Sequence, residues 1–150
     1  MQELSDRLLP RLRMLNNSIR QHMDQQFLAL DLTAPQSFVF HYLAMHENEP
    51  IYPKDLERSF QLTHPTVSGL LQRLEAKGFL TIAPDHADRR CKRLQLTDKA
   101  RCCEKSIGTA FMQLDQTMSA GMSPAERAEL LRLLDLAMHN LHDLENCGGN

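Results

Sequence analysis

The sequence predicts a mainly helical fold of six helices interrupted by one β-hairpin, and three observations carry that expectation. Apolar residues recur at steps of three and four through most of the chain, the spacing of amphipathic helices. Between Phe79 and Thr97 this gives way to alternation of apolar and polar residues around Pro84-Asp85-His86-Ala87-Asp88, which is turn chemistry. Residues that start and stop helices also fall between the periodic segments, among them Thr33 before Ala34-Pro35, Gly78, Gly121 and Ser123-Pro124-Ala125-Glu126.

The first helix is carried by Leu8, Leu12, Leu15, Ile19, Phe27 and Leu30, with Pro10 in or before its first turn. Thr33 caps a second helix bearing Phe38, Val39, Tyr42, Leu43 and Met45, which ends at Glu47-Asn48-Glu49-Pro50. A short extended piece, Ile51-Tyr52, leads to a third helix from about Pro53 to Phe60. Gln61 to Pro65 then supplies a turn and cap for a fourth, running through Val67, Leu70, Leu71 and Leu74 to Lys77, where Gly78 stops it. The hairpin follows, from Phe79 to Ala83 and from Lys92 to Thr97. Thr97 caps a fifth helix reaching about Ala120, and Ser123 with Glu126 forms a capping box for the last. That helix carries Leu131, Leu136 and Met138 off its main stripe of Leu130, Leu133 or Leu134, Ala137, Leu141 and Leu144. This is more apolar surface than one partner face requires, and it predicts an interface between subunits.

The net charge of −2 hides an asymmetry. Between Lys54 and Lys105 there are 11 Lys and Arg against 7 Asp and Glu, so a basic middle lies between acidic arms. Such a segment suits a polyanion. Two short helices joined by a tight turn and followed by a hairpin make a winged helix-turn-helix, in which the second helix enters a major groove. On the fourth helix the apolar face leaves His64, Pro65, Thr66, Ser68, Gly69, Gln72 and Arg73 at the front or outside, with no acid among the outward positions of its first two turns. Thr66, Ser68, Gln72 and Arg73 can bond to phosphates or base edges. At the wing, Arg89, Arg90, Lys92 and Arg93 put four cations in five residues. Arg89 or Arg90 is the expected minor-groove contact, with Asp88 bracing a neighbouring arginine, and Lys92, Arg93, Lys99 and Arg101 the expected phosphate neutralisers.

The stretch from Leu62 to Leu80, followed by Asp88-x-Arg90-x-x-x-Leu94-x-Leu96-Thr97, resembles the multiple antibiotic resistance regulator (MarR) family. The wing motif matches at every fixed position, and the helix order covers nearly the whole chain. Gly69 departs from the family, standing where many relatives carry a basic residue. The resemblance implies one MarR-like domain over 1–150, with a DNA-binding lobe at about 34–97 and dimerisation helices at about 4–30 and 98–146. It implies a homodimer clasped by the first and last helices on a pseudo-palindromic double-stranded operator, acting as a ligand-responsive repressor. It also places a pocket for a small effector, such as an aromatic acid, among the first, second and fifth helices, where His22, Phe38 and His41 are candidates.

Four cysteines without CxxC spacing read as free thiols. Cys91 lies among Arg90, Lys92 and Arg93, with Cys102 and Cys103 close behind, so a thiol-redox variant of the regulator is an alternative. The pair His139-x-x-His142 lacks a further tight ligand, so no metal and no cofactor is expected. No nucleophile with a paired base and no phosphate-cradling glycine loop appears, which argues against an enzyme. Short apolar runs and charges at Glu3, Asp6 and Arg7 argue against a membrane span or signal peptide, so the expected location is cytoplasmic. The competing class is a helical protein-interaction adaptor that does not bind DNA.

Overall fold

The computed structural model describes residues 6–147, with side chains through Leu144. The expected start of the first arm near residue 4 and the Gly148-Gly149-Asn150 tail lie outside the described residues, as does the side chain of Cys147. Helix α1 spans Leu8–Gln26 and is followed by a 3-10 turn, Leu28–Leu30; α2 spans Ala34–Met45, α3 Pro53–Phe60 and α4 His64–Ala76. Strands β1 (Leu80–Pro84) and β2 (Lys92–Leu96) form the hairpin, and α5 (Asp98–Met118) and α6 (Pro124–Cys147) follow it among the described residues. The first helix is thus shorter than its apolar stripe suggested. Phe27 leaves helical geometry, and Asp31 turns the chain with φ at 54°.

Two compact units divide the chain, Met1–Ala110 and Phe111–Asn150. In the first, Met23 and Phe27 of the α1 end, Val39, Phe40 and Leu43 of α2, Leu56 of α3 and the Val67-Leu70-Leu71-Leu74 face of α4 are all buried. Leu80, Leu94 and Leu96 extend this core beneath the hairpin, while Ala100 and Ile107 extend it along α5. Phe40 meets Phe79 edge to face, with ring centroids 5.8 Å apart. In the hairpin Leu80 pairs with Leu96, Ile82 with Leu94 and Pro84 with Lys92. The amide of Leu94 also donates to the Ile51 carbonyl at 2.9 Å, which gives the hairpin a one-residue third strand.

The helix starts follow the expected cap chemistry. The Thr33 amide donates to Gln36 Oε1 at 3.2 Å, and the Ala34 amide to Asp24 Oδ1 of α1 at 2.6 Å. Thr97 Oγ1 accepts the Ala100 amide at 3.2 Å and so caps α5. At the far end of α4, Gly78 takes φ at +78° and lets the Phe79 amide return to the Leu74 carbonyl at 2.9 Å.

In the second unit Gly121 turns the chain with φ at +84°. Ser123 and Glu126 cap α6 reciprocally, the Ser123 amide donating to Glu126 Oε2 at 2.8 Å and the Glu126 amide to Ser123 Oγ at 3.2 Å. Arg127 pairs with Asp115 at 2.8 Å. Leu130, Leu131, Leu133, Leu136, Leu141 and Leu144 of α6 are all more than 40% exposed, up to 68% at Leu144. No helix among the described residues is long and apolar enough to cross a membrane.

Replacing the wholly buried Leu56 by Ala should destabilise the first unit by about 2–5 kcal/mol in thermal or chemical denaturation. Gly78→Ala should cost about 1 kcal/mol through its backbone alone, because an added Cβ meets only the Lys99 side chain, at an ordinary 3.7 Å from Cδ and 4.0 Å from Nζ. The amide and hydroxyl of Ser123 hold the Glu126 carboxyl below its ordinary value near 4.5. A carboxylate with a lowered folded-state pKa contributes stability above its unfolded pKa and loses it as pH falls through the folded value. In an acid titration of helix content, wild type should therefore exceed Glu126→Gln at neutral pH, and the difference should close below the ordinary glutamate range.

Candidate nucleic-acid interface

Helix α4 is amphipathic in the sense the candidate site needs. Its apolar stripe is buried, while His64, Pro65, Thr66, Gln72 and Arg73 are exposed and Ser68 is half-buried. The turn before it is made by Gln61 with φ at 50°, which redirects the chain after α3 without a glycine. Thr63 Oγ1 lies 2.9 Å from the Thr66 hydroxyl, and His64 Nδ1 lies 2.6 Å from Glu57 Oε1 of α3. The second of these contacts holds the start of α4 against the preceding helix. Arg73 reaches back along its own helix, its Nη1 lying 3.8 Å from where a Cβ on Gly69 would stand. The guanidinium thus occupies the space beside the residue without a side chain.

The hairpin carries its cations to the same side. A groove of about 380 Å³ between α4 and the wing is lined by His64, Ser68, Gln72, Arg89, Arg90 and Lys92, among others. A neighbouring cleft of about 620 Å³ brings Lys54 and Arg58 of α3 beside His64, Arg90 and Lys92. Lys54 and Arg58 were not singled out in the sequence, because a short helix with Asp55 and Glu57 between them reads as an ordinary mixed face. Eight polar or cationic side chains from α3, α4 and the wing thus line these two neighbouring clefts, an arrangement able to neutralise phosphates and bond to base edges.

Arg93 is placed differently. Strand alternation turns it away from Lys92, and it lines another cleft, of about 280 Å³, with Glu47, Glu49 and Arg101. Lys99 and Arg101 are also occupied within the fold. Lys99 Nζ donates to the Lys77 carbonyl at 2.6 Å and sits 4.6 Å from the Phe79 ring centroid. Arg101 pairs with Glu47 at 2.6 Å and Asp98 at 3.0 Å, and these bonds raise its pKa. The local architecture accounts for both charges. Asp88 does brace the wing, though through the backbone: its Oδ1 accepts the Arg90 amide at 3.0 Å, and no ion pair joins it to an arginine among the described residues.

The effector candidates are spread over two helices. His22 is exposed on α1, and Phe38 and His41 are half-buried on α2, where burial lowers the His41 pKa. The three clefts described above are lined by other residues. Cys91 and Cys102 are exposed and Cys103 is half-buried, all as free thiols. The Cys91 thiol lies 3.8 Å from Asp88 Oδ2, so a carboxylate as well as cations faces it. No group of three metal-ligating side chains occurs among the described residues.

Residues 30–90, which hold α2, α3, α4 and the wing turn, match the sequence profile of the MarR family. The fold is similar to that of MepR from S. aureus in a DNA complex, with 26% identity over 90% of this chain and 96% of that one and a TM-score of 0.83. In sequence profile and in fold the chain is similar to MarR-family regulators. The transcription regulator MarR from Oenococcus oeni PSU-1 is 28% identical, with 89% of this chain and 99% of that chain covered and a TM-score of 0.82. BpsR from Bordetella bronchiseptica, whose DNA binding is regulated by 6-hydroxynicotinic acid, is 26% identical over 89% of this chain and 94% of that one, with a TM-score of 0.75. The six helices and antiparallel hairpin among the described residues are those expected from the sequence, and MarR-family regulators, which they resemble, are DNA-binding transcription factors without enzymatic activity.

Proposed function

We propose that this chain is a sequence-specific transcription regulator of the MarR family that binds a pseudo-palindromic double-stranded DNA operator as a homodimer. The observation that carries the reading is the shared grooved surface on which the polar face of α4 meets Arg89, Arg90 and Lys92. Helix α4 enters the major groove, where Thr66, Ser68, Gln72 and Arg73 meet base edges and phosphates, with His64 and Pro65 at its leading end. Arg89 or Arg90 enters the adjacent minor groove. Lys92, together with Lys54 and Arg58, neutralises backbone charge. Arg93 has a smaller share, since its side chain lines the cleft with Glu47.

The apolar surface of α6 supports the dimer, since rows of exposed leucines on a regulator of this family suit a second copy. One α4 per half-site then meets the DNA about one helical turn from its partner, ~34–36 Å. A small aromatic acid is the effector class we favour, on the likeness to BpsR and the half-buried Phe38 and His41. Such a ligand would relieve repression by favouring a spacing of the two reading heads that the operator does not fit. The protein acts in the cytoplasm, where the DNA is.

Fluorescence-anisotropy titration against DNA flanking its own gene, or against sites recovered from a random library, tests the reading. Affinity should fall with salt at about 0.9 log unit per neutralised phosphate. Arg89→Ala with Arg90→Ala should cost roughly tenfold or more, with the dimer intact by sedimentation, and Arg93→Ala should cost less. Absence of saturable, sequence-dependent binding would favour the adaptor reading.

A further inference from the structure

Asp85 lies in the wing turn, among charged residues that are exposed, and is itself only 5% exposed. Among the described residues it is the one buried acid. Its Oδ2 accepts the Tyr52 hydroxyl at 2.5 Å, and its Oδ1 accepts the Ala87 amide at 2.6 Å. Its own amide donates to the Cys91 carbonyl at 2.8 Å, closing the loop that carries Arg89 and Arg90. Tyr52 is fixed in turn at the start of α3, where its amide donates to Asp55 Oδ2 at 2.8 Å. Next to it, Ile51 holds β2 through the Leu94 amide.

We infer that Tyr52 and Asp85 are positioning residues for the wing: their hydrogen bond fastens the hairpin turn to the first turn of α3 and so aims Arg89 and Arg90. The inference rests on the DNA-binding function proposed above. A two-stranded hairpin is marginal by itself, so its tip points in a defined direction only if something outside the hairpin holds it. The Ile51–Leu94 bridge holds β2 two residues inside its Lys92 end. Tyr52–Asp85 is the attachment at the turn itself. From there two aspartates in series carry the constraint outward, Asp85 accepting the Ala87 amide and Asp88 the Arg90 amide at 3.0 Å. Groove contacts need placement to within about half an ångström, so a tip that swings loses them while the fold stays intact.

The pair is also suited to neutral pH. The Tyr52 hydroxyl, then the Ala87 and Asp88 amides, hold the Asp85 carboxyl below its usual range, with Arg93 adding to the effect. The same bond raises the Tyr52 phenol above its ordinary value. The donor stays protonated and the acceptor ionised across the physiological range, so the attachment is permanent and does not switch.

Tyr52→Phe removes one hydroxyl and little volume, and Asp85→Asn keeps the size of the side chain. Both variants should keep the wild-type circular dichroism spectrum and dimer, while hydrogen–deuterium exchange quickens at the amides of Ala87 to Cys91 and operator affinity falls about tenfold. Because the bond acts through the arginines, the loss from Arg89→Ala with Arg90→Ala should be smaller in the Tyr52→Phe background than in wild type. Unchanged exchange in the wing turn, or losses that simply add, would overturn the inference. If wild type shows no salt-sensitive DNA binding, the proposed function fails, and the exchange comparison still decides whether Tyr52 and Asp85 hold the wing.

Discussion

The presentation of the exposed α4 face depends on how the C-terminal end of that helix is tied down. The last carbonyls of a helix have no partners within it, and here the carbonyls just past α4 are bonded from the start of α5, while the Lys77 side chain reaches α2 and the turn before it. Thr97 Oγ1 donates to the Gly78 carbonyl at 2.6 Å while accepting the Ala100 amide, so one hydroxyl joins the end of α4 to the start of α5. Lys99 donates to the Lys77 carbonyl, and Lys77 Nζ reaches Gln36 Oε1 at 2.9 Å and the Asp31 carbonyl at the α1–α2 turn. Positive charge at this terminus also suits the helix dipole. The exposed face of α4 is therefore held through residues that themselves lie off that face.

The same knot offers a physical route from α1 and α2 to the last turn of α4. Asp24 of α1 accepts the Ala34 amide, and Gln36 both caps α2 and accepts Lys77. A shift of α1 against α2 would strain bonds that end at the last turn of α4. The wing is held from elsewhere, through Ile51, Tyr52 and Asp85. Helix and wing thus have separate anchorages, and an effector acting through α1 or α2 meets the helix anchorage first. The leucine-rich face of α6 is exposed, which suits a surface completed by association.

Much of this architecture was legible in the sequence because its signals are local. Thr33, Thr97 and the Ser123–Glu126 box mark helix starts, Gly78 and Gly121 mark stops, and period-two alternation marks the hairpin to within a residue or so. The end of α1 was harder, since the apolar spacing continues past Gln26 while the backbone turns at Asp31. The candidate site was legible where it depends on one element's pattern, as on α4 and at Arg89 and Arg90. It was not legible where charge is consumed by distant partners. Arg101 with Glu47 is a pair 54 positions apart, and Tyr52 with Asp85 a pair 33 apart. Nothing in the local pattern separates a phosphate-binding lysine from Lys99, which completes a helix end. Arg93 could have been set apart from Lys92 by strand alternation alone.

Hydroxyl-radical footprinting of the protein on its selected operator reads, at single-nucleotide resolution, where α4 and the wing cover the DNA backbone. Two protected patches are expected, related by the operator's two-fold axis and about one helical turn apart, with further minor-groove protection beside each that disappears when Arg89 and Arg90 are replaced by Ala. Uniform protection along any duplex, or a single patch without symmetry, would contradict a paired α4-and-wing reading of DNA.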